Sequence, residues 1–239
     1  MPPYHLVELD VVNFVALPLA VVALFVWGVA RAWRRTGGDA AGARRAALLA
    51  ALLSAAWMTG TWIAAARGTL RDFSATPPPF FFLVVAILGI AGTVGLGNVG
   101  RRIASGIPLW VLVAAQSFRL PLELAMHRMA ERGIMPEIMS YSGRNFDIVT
   151  GATAIPVALA IATRLGGRRL ALAWNFLGLA LLINVVTVAI LATPRFQYFG
   201  PEQVNVWVTY PPFVWLPAVL VLAALLGHIL VFRACRSEP

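Results

Sequence analysis

Residues 170–192 read LALAWNFLGLALLINVVTVAILA, a run without one charged side chain, with Arg168 and Arg169 just before it and Arg195 just after. A helix rises about 1.5 Å per residue and the hydrocarbon core of a bilayer is about 30 Å thick, so about 20 apolar residues cross it. This run is long enough, and its flanking arginines mark the two water boundaries. Six more segments meet the same length: 11–33, 46–66, 80–100, 108–129, 146–163 and 213–232. The chain is therefore predicted to be all-α, a polytopic membrane protein whose seven transmembrane helices form a single domain over residues 1–239.

Composition agrees. Of 239 residues, 60% are hydrophobic and 12% charged, against about 45–50% and about 25% in soluble domains. A soluble enzyme, a disordered chain and a secreted disulfide scaffold are excluded. The net charge of +9 does not point to nucleic acid, because the cations fall in short clusters between apolar runs and not along one face. All of them are arginine. The sequence has no lysine, so a retinal Schiff base is excluded despite the count of seven. The single cysteine, Cys235, excludes an intrachain disulfide.

The arginines set the expected orientation. Arg31, Arg34, Arg35, Arg44, Arg45, Arg101, Arg102, Arg164, Arg168, Arg169, Arg233 and Arg236 fall at one set of segment ends. Only Arg67, Arg71, Arg128, Arg132, Arg144 and Arg195 fall at the other, together with Glu8, Asp10, Asp72, Glu131, Glu137, Asp147 and Glu202. The positive-inside rule then puts the N-terminus outside and the C-terminus in the cytoplasm of a bacterial-type inner membrane. The first segment reads as an anchor and not a cleaved signal peptide, since acids precede it and cations follow it. Pro18, Pro121, Pro156 and Pro217 fall inside segments and predict kinks. Loops 130–145 and 193–212 are long for a bundle. In the second, Val204-Asn205-Val206-Trp207-Val208 alternates with the period of a strand.

Gly95-Leu96-Gly97-Asn98-Val99-Gly100 matches the dinucleotide fingerprint in letters alone. It ends a membrane segment, and no strand feeds it. Together with Gly89 and Gly92, these glycines suggest close helix approach and a central third helix.

Function is concentrated in the fourth segment. Gln116, Arg119, Glu123 and His127 recur at steps of three, four and four, which places them on one stripe of a helix. An intramembrane charge costs about 2.5–3.5 kcal/mol on insertion scales, so Arg119 requires a partner, and Glu123 one turn away is the nearest. The next segment opens Gly143-Arg144-Asn145-Phe146-Asp147, bringing Asn145 and Asp147 toward the same outer level. These residues predict an outward-facing polar pocket. Arg119, Gln116, Asn145 and Asn184 are its ligand-binding candidates, and Glu123, His127 and Asp147 its acid/base candidates. The latter three are also weak ligands for a single divalent metal, with His5 as a further donor. His228, counted into the inner half of the last segment, reads as a core residue, and no histidine pair at matched depth supports haem.

Three classes of function fit. One is a receptor-like, carrier-like or accessory protein that binds a small or lipidic anionic ligand among membrane lipids. The second is an intramembrane enzyme acting on an outer-leaflet lipid through Glu123, His127 and Asp147. The third is a secondary transporter, against which stands the lack of an inner carboxylate. No motif names a chemistry. Reporter fusions after Arg35, Arg102, Arg169 and Arg236 are expected to report cytoplasm, and fusions after Asp72, Arg132 and Gln203 the outside. One reproducible reversal overturns the seven-span topology.

Overall fold

The computed structural model describes residues 8–237, with side chains from 13 to 236. His5 and the side chains of Glu8 and Asp10 lie outside that description. The chain is all-helical, and no strand occurs among the described residues. Among the described residues nine α-helices follow in order: α1 (Glu8–Arg35), α2 (Ala40–Ala66), α3 (Pro79–Leu96), α4 (Asn98–Gly106), α5 (Leu109–Ala114), α6 (Arg119–Glu131), α7 (Ile148–Ala162), α8 (Arg168–Leu191) and α9 (Leu222–Ser237). Six stretches are long and apolar enough to cross a membrane: Asn13–Arg35, Ala40–Ala66, Pro79–Leu96, Leu109–Glu131, Arg168–Leu191 and Leu216–Arg236. The fifth expected segment, α7, has 15 residues, only about 22 Å at 1.5 Å per residue.

Short α7 has a physical origin in the chain before it. The predicted surface loop instead packs into the bundle, with Ile134, Met135, Ile138, Met139, Asn145 and Asp147 all buried. Its backbone is satisfied locally, by Gly143 N to the Ser140 carbonyl at 2.9 Å and Arg144 N to the Ile138 carbonyl at 3.0 Å. Irregular backbone is tolerated at such depth only where protein surrounds it. α7 thus starts well inside the bundle, just after the buried cap residue Asp147.

Proline places the other irregularities. α5 and α6 are one span joined by a 3₁₀ turn, Ala115–Phe118, just ahead of Pro121, which has no N–H to donate back to Ser117. Pro217 lies in a π turn, Leu216–Val221, whose Ala218 carbonyl accepts from the Trp57 indole at 2.8 Å. Pro18 and Pro156 remain inside continuous helices. The alternating stretch 204–208 is not a strand. It leads into a 3₁₀ turn, Trp207–Thr209, whose Trp207 is buried edge-on against Phe14 and Phe213.

Two apolar cores result. One gathers Phe14, Met126, Met129, Trp207 and Phe213, and the other Ile103, Leu109, Trp174 and Leu230 near the arginine-rich ends. The arginines at those ends finish helices. Arg233 donates to the carbonyls of Gly95 and Gly97 where α3 breaks, at 2.8 and 3.0 Å, and Arg102 lies over the Trp33 ring at 4.1 Å.

The glycines correct the expected place of the third segment. Nothing lies within 4 Å of a side chain built at Gly89 or Gly92, whereas Gly95 approaches Leu226 and Ile229. Phe81, Phe82, Val85 and Leu88 point outward, so α3 is peripheral. Close approach occurs instead at Gly151 of α7, where an added Cβ would strike the backbone of Arg119 and Leu120, and at Gly178 of α8, where it would come within 2.7 Å of the His228 ring. Gly151→Ala and Gly178→Ala are each expected to destabilise by about 1–3 kcal/mol. Gly89→Ala and Gly92→Ala should stay within about 0.5 kcal/mol of the parent. Thermal unfolding in detergent measures both, and equal shifts would refute this packing.

Candidate functional site

Between the two cores α6, α7, α8 and α9 bring their polar residues to one depth. Arg119, 1% exposed, does not pair with Glu123 as the spacing suggested. Its guanidinium meets Asp147 in two parallel bonds, Nε to Oδ2 at 2.6 Å and Nη2 to Oδ1. The close approach at Gly151 allows this, because it seats the first turn of α7 directly on Arg119. A bidentate arginine–carboxylate pair fixes geometry as well as charge. Thr150 Oγ1 donates to the same carboxylate at 3.3 Å.

The remaining face of Arg119 is occupied by His228, with Nη1 to Nε2 at 2.8 Å. Arginine can only donate, so Nε2 accepts and the ring proton sits on Nδ1. From there it is donated to Asn175 Oδ1 at 2.8 Å. Asn175 Nδ2 closes the ring by donating to the His228 carbonyl at 3.1 Å. His228 and Asn175 are both fully buried, and both belong to the cluster although the sequence reading left them out. A signal for them exists in distance from the arginine-rich ends: Arg119 follows Leu109 by ten residues, His228 precedes Ser237 by nine, and Asn175 follows Arg168 by seven.

Glu123 is also buried but belongs to a second arm. Asn145 Nδ2 donates to Glu123 Oε2 at 2.7 Å and to the Met139 carbonyl at 3.0 Å, and Asn145 Oδ1 accepts from the Asp147 amide at 3.1 Å. Through Asn145 the buried loop joins the Glu123 carboxylate to the backbone of Asp147. His127 stands apart. Its ring stacks on Tyr141 at 4.2 Å, and Nε2 faces Glu131 at 3.4 Å. Asn184 is outside the cluster as well, donating to the Arg144 carbonyl at 2.8 Å. Glu123, His127 and Asp147 are therefore not gathered on one point, and among the described residues no three His, Cys, Asp or Glu side chains are grouped to hold a metal.

Around Arg119 this cluster is closed, the side chains of Asp147, His228 and Asn175 being spent on one another and on the guanidinium. A cleft of about 1140 Å³ lies beside it, between the α1–α2 hairpin and a wall of α3, α5 and α9. Its surface is apolar, from Val21, Phe25, Leu49 and Leu53 on one side to Ile90, Leu112, Leu222 and Leu226 on the other. Gln116 links the two regions. It is 2% exposed and lines the cleft; its Nε2 donates to the Ala224 carbonyl at 3.3 Å, and its Oε1 has no hydrogen-bond partner. Gly227 makes room for it, since any Cβ there would overlap the Gln116 amide.

No family model, curated protein or solved structure matches this chain.

Removing one member of a buried ion pair strands the other, at about 3–5 kcal/mol. Asp147→Ala is therefore expected to lower stability by that amount, and Arg119→Leu combined with Asp147→Leu by clearly less. Chemical unfolding in detergent reads the difference. Equal losses would show that the two charges are not coupled.

Proposed function

We propose that this chain is a binding protein of the cell membrane, in a carrier-like or accessory role, and that its ligand is lipidic and occupies the apolar cleft. α7 is taken as the seventh crossing, with the N-terminus outside and the C-terminus in the cytoplasm of a bacterial-type inner membrane, and the whole chain as one domain. The single observation that carries the proposal is the cleft. Its volume exceeds the about 300–1,000 Å³ typical of sites for compact small molecules. Along α2 its lining runs from Gly42 to Met58, about 24 Å of helix, the proportions of an extended hydrocarbon chain.

Two further features support it. Leu24, Trp27, Leu49 and Leu53 line the cleft and are also exposed on the outside of the bundle, so a chain can enter sideways from the bilayer. The Gln116 acceptor on the cleft wall lacks a donor, and an unpaired buried acceptor costs about 1–3 kcal/mol. A water or a hydroxyl carried in with the ligand would supply that donor. The arginine cluster, by contrast, serves here as the clasp that holds α6, α7, α8 and α9 behind the cleft. Anion capture through Arg119 is not proposed, because Asp147 and His228 already occupy its guanidinium.

Filling the cleft tests the proposal. Ala50 and Ala223 line it from opposite walls, and Ala50→Trp with Ala223→Trp would occupy it. After purification from native membrane, the parent is expected to retain about one lipid per chain beyond the detergent-exchangeable shell, by native mass spectrometry. The filled variant should fold and lose that lipid. Equal retention by both proteins would overturn the proposal.

A further inference from the structure

Resting on the lipid-binding role proposed above, we infer that the ligand is an anionic phospholipid whose phosphate sits at the arginine-rich mouth of the cleft, on Arg45. The lining of the cleft holds one charged side chain, Arg45, and no carboxylate. Arg45 is exposed and has no hydrogen bond or ion pair among the described residues, so its guanidinium is available to a ligand at the point where the apolar walls begin. A chain lying against Leu49 and Leu53, one and two turns further along α2, would carry its head to that level.

The mouth is built for the boundary between hydrocarbon and water. Trp33 lines it, and indole rings favour that depth. Behind Trp33, Arg102 stacks at 4.1 Å and donates to Thr36 Oγ1 at 2.7 Å, fixing a second positive charge beside the entrance. The acid nearest in sequence is Asp39, and its carboxylate is turned to the α2 amides, accepting from Gly42 N at 2.8 Å. Arg34, Arg35 and Arg44 lie close in sequence and add charge of the same sign. A zwitterionic head brings its own cation to this cluster beside its phosphodiester, whereas an anionic head brings the phosphodiester with its net negative charge uncompensated. One planar guanidinium can bind two phosphate oxygens at once.

The full chain is reconstituted in nanodiscs of equal parts phosphatidylglycerol and phosphatidylcholine with matched acyl chains, then stripped into detergent, and the retained lipid is identified by mass spectrometry. Near-surface charge pairing of this kind is worth about fivefold in preference, so phosphatidylglycerol should exceed phosphatidylcholine by about that factor. In Arg45→Gln the ratio should fall toward one while total retained lipid is unchanged. Arg164→Gln, an exposed arginine that does not line the cleft, should keep the parent ratio. Parity in the parent, or equal loss of preference in both variants, overturns the headgroup assignment and leaves a lipid-binding cleft standing. If no lipid is retained at all, the binding role itself falls, and this inference with it.

Discussion

A single guanidinium in a dry interior organises this molecule. Water cannot reach Arg119, and its charge is tolerated only because Asp147 meets it in two bonds and His228 takes the third direction. Each of those contacts makes a demand on the backbone. Asp147 must lie at the depth of Arg119, so the chain before α7 folds inward and α7 is short. α6 and α7 must nearly touch, so position 151 has no side chain. His228 must present Nε2, so Asn175 on α8 holds the other ring nitrogen. Four helices are thereby fixed around one charge.

That constraint also divides the bundle. Behind the clasp, α6 to α9 pack closely. In front of it the α1–α2 hairpin crosses to the other helices near Trp57 and Trp215, whose indoles donate to the Ala218 and Met58 carbonyls. At the arginine-rich end Arg102 of α4 ties back to Trp33 and Thr36, and the cleft lies between the hairpin and the wall of α3, α5 and α9. Rigid polar chemistry and apolar emptiness are neighbours, with Gln116 on the wall they share.

Much of the helical pattern was legible in the sequence, because apolar length is a local property. Residues 170–192 became α8 almost residue for residue. The need for an Arg119 partner was legible too, since it follows from the cost of charge in hydrocarbon alone. The identity of that partner was not. Spacing along one helix favoured Glu123, but Asp147 wins by approaching from α7, and only the inward fold of the preceding loop makes that possible. His228 is the buried core residue its position suggested, but its bond to Arg119 depends on how α9 packs against α6, which spacing along one helix does not reveal. The cleft left no linear trace at all, being the separation of helices that are each unremarkable in sequence.

Short α7 has one more consequence, for the bilayer itself. Val149, Ile155 and Leu159 face outward from it, so on that side the apolar girdle is about 22 Å tall, against about 30 Å of hydrocarbon. With α7 as the proposed seventh crossing, lipids there would thin to match it or the molecule would tilt, each at fractions of a kcal/mol per ångström. α2, with 27 residues, has no such shortfall. With α7 crossing in this way, the protein would be a wedge in thickness, and the lopsided elastic strain would draw short-chain lipids and similarly thin neighbours to the α7 flank.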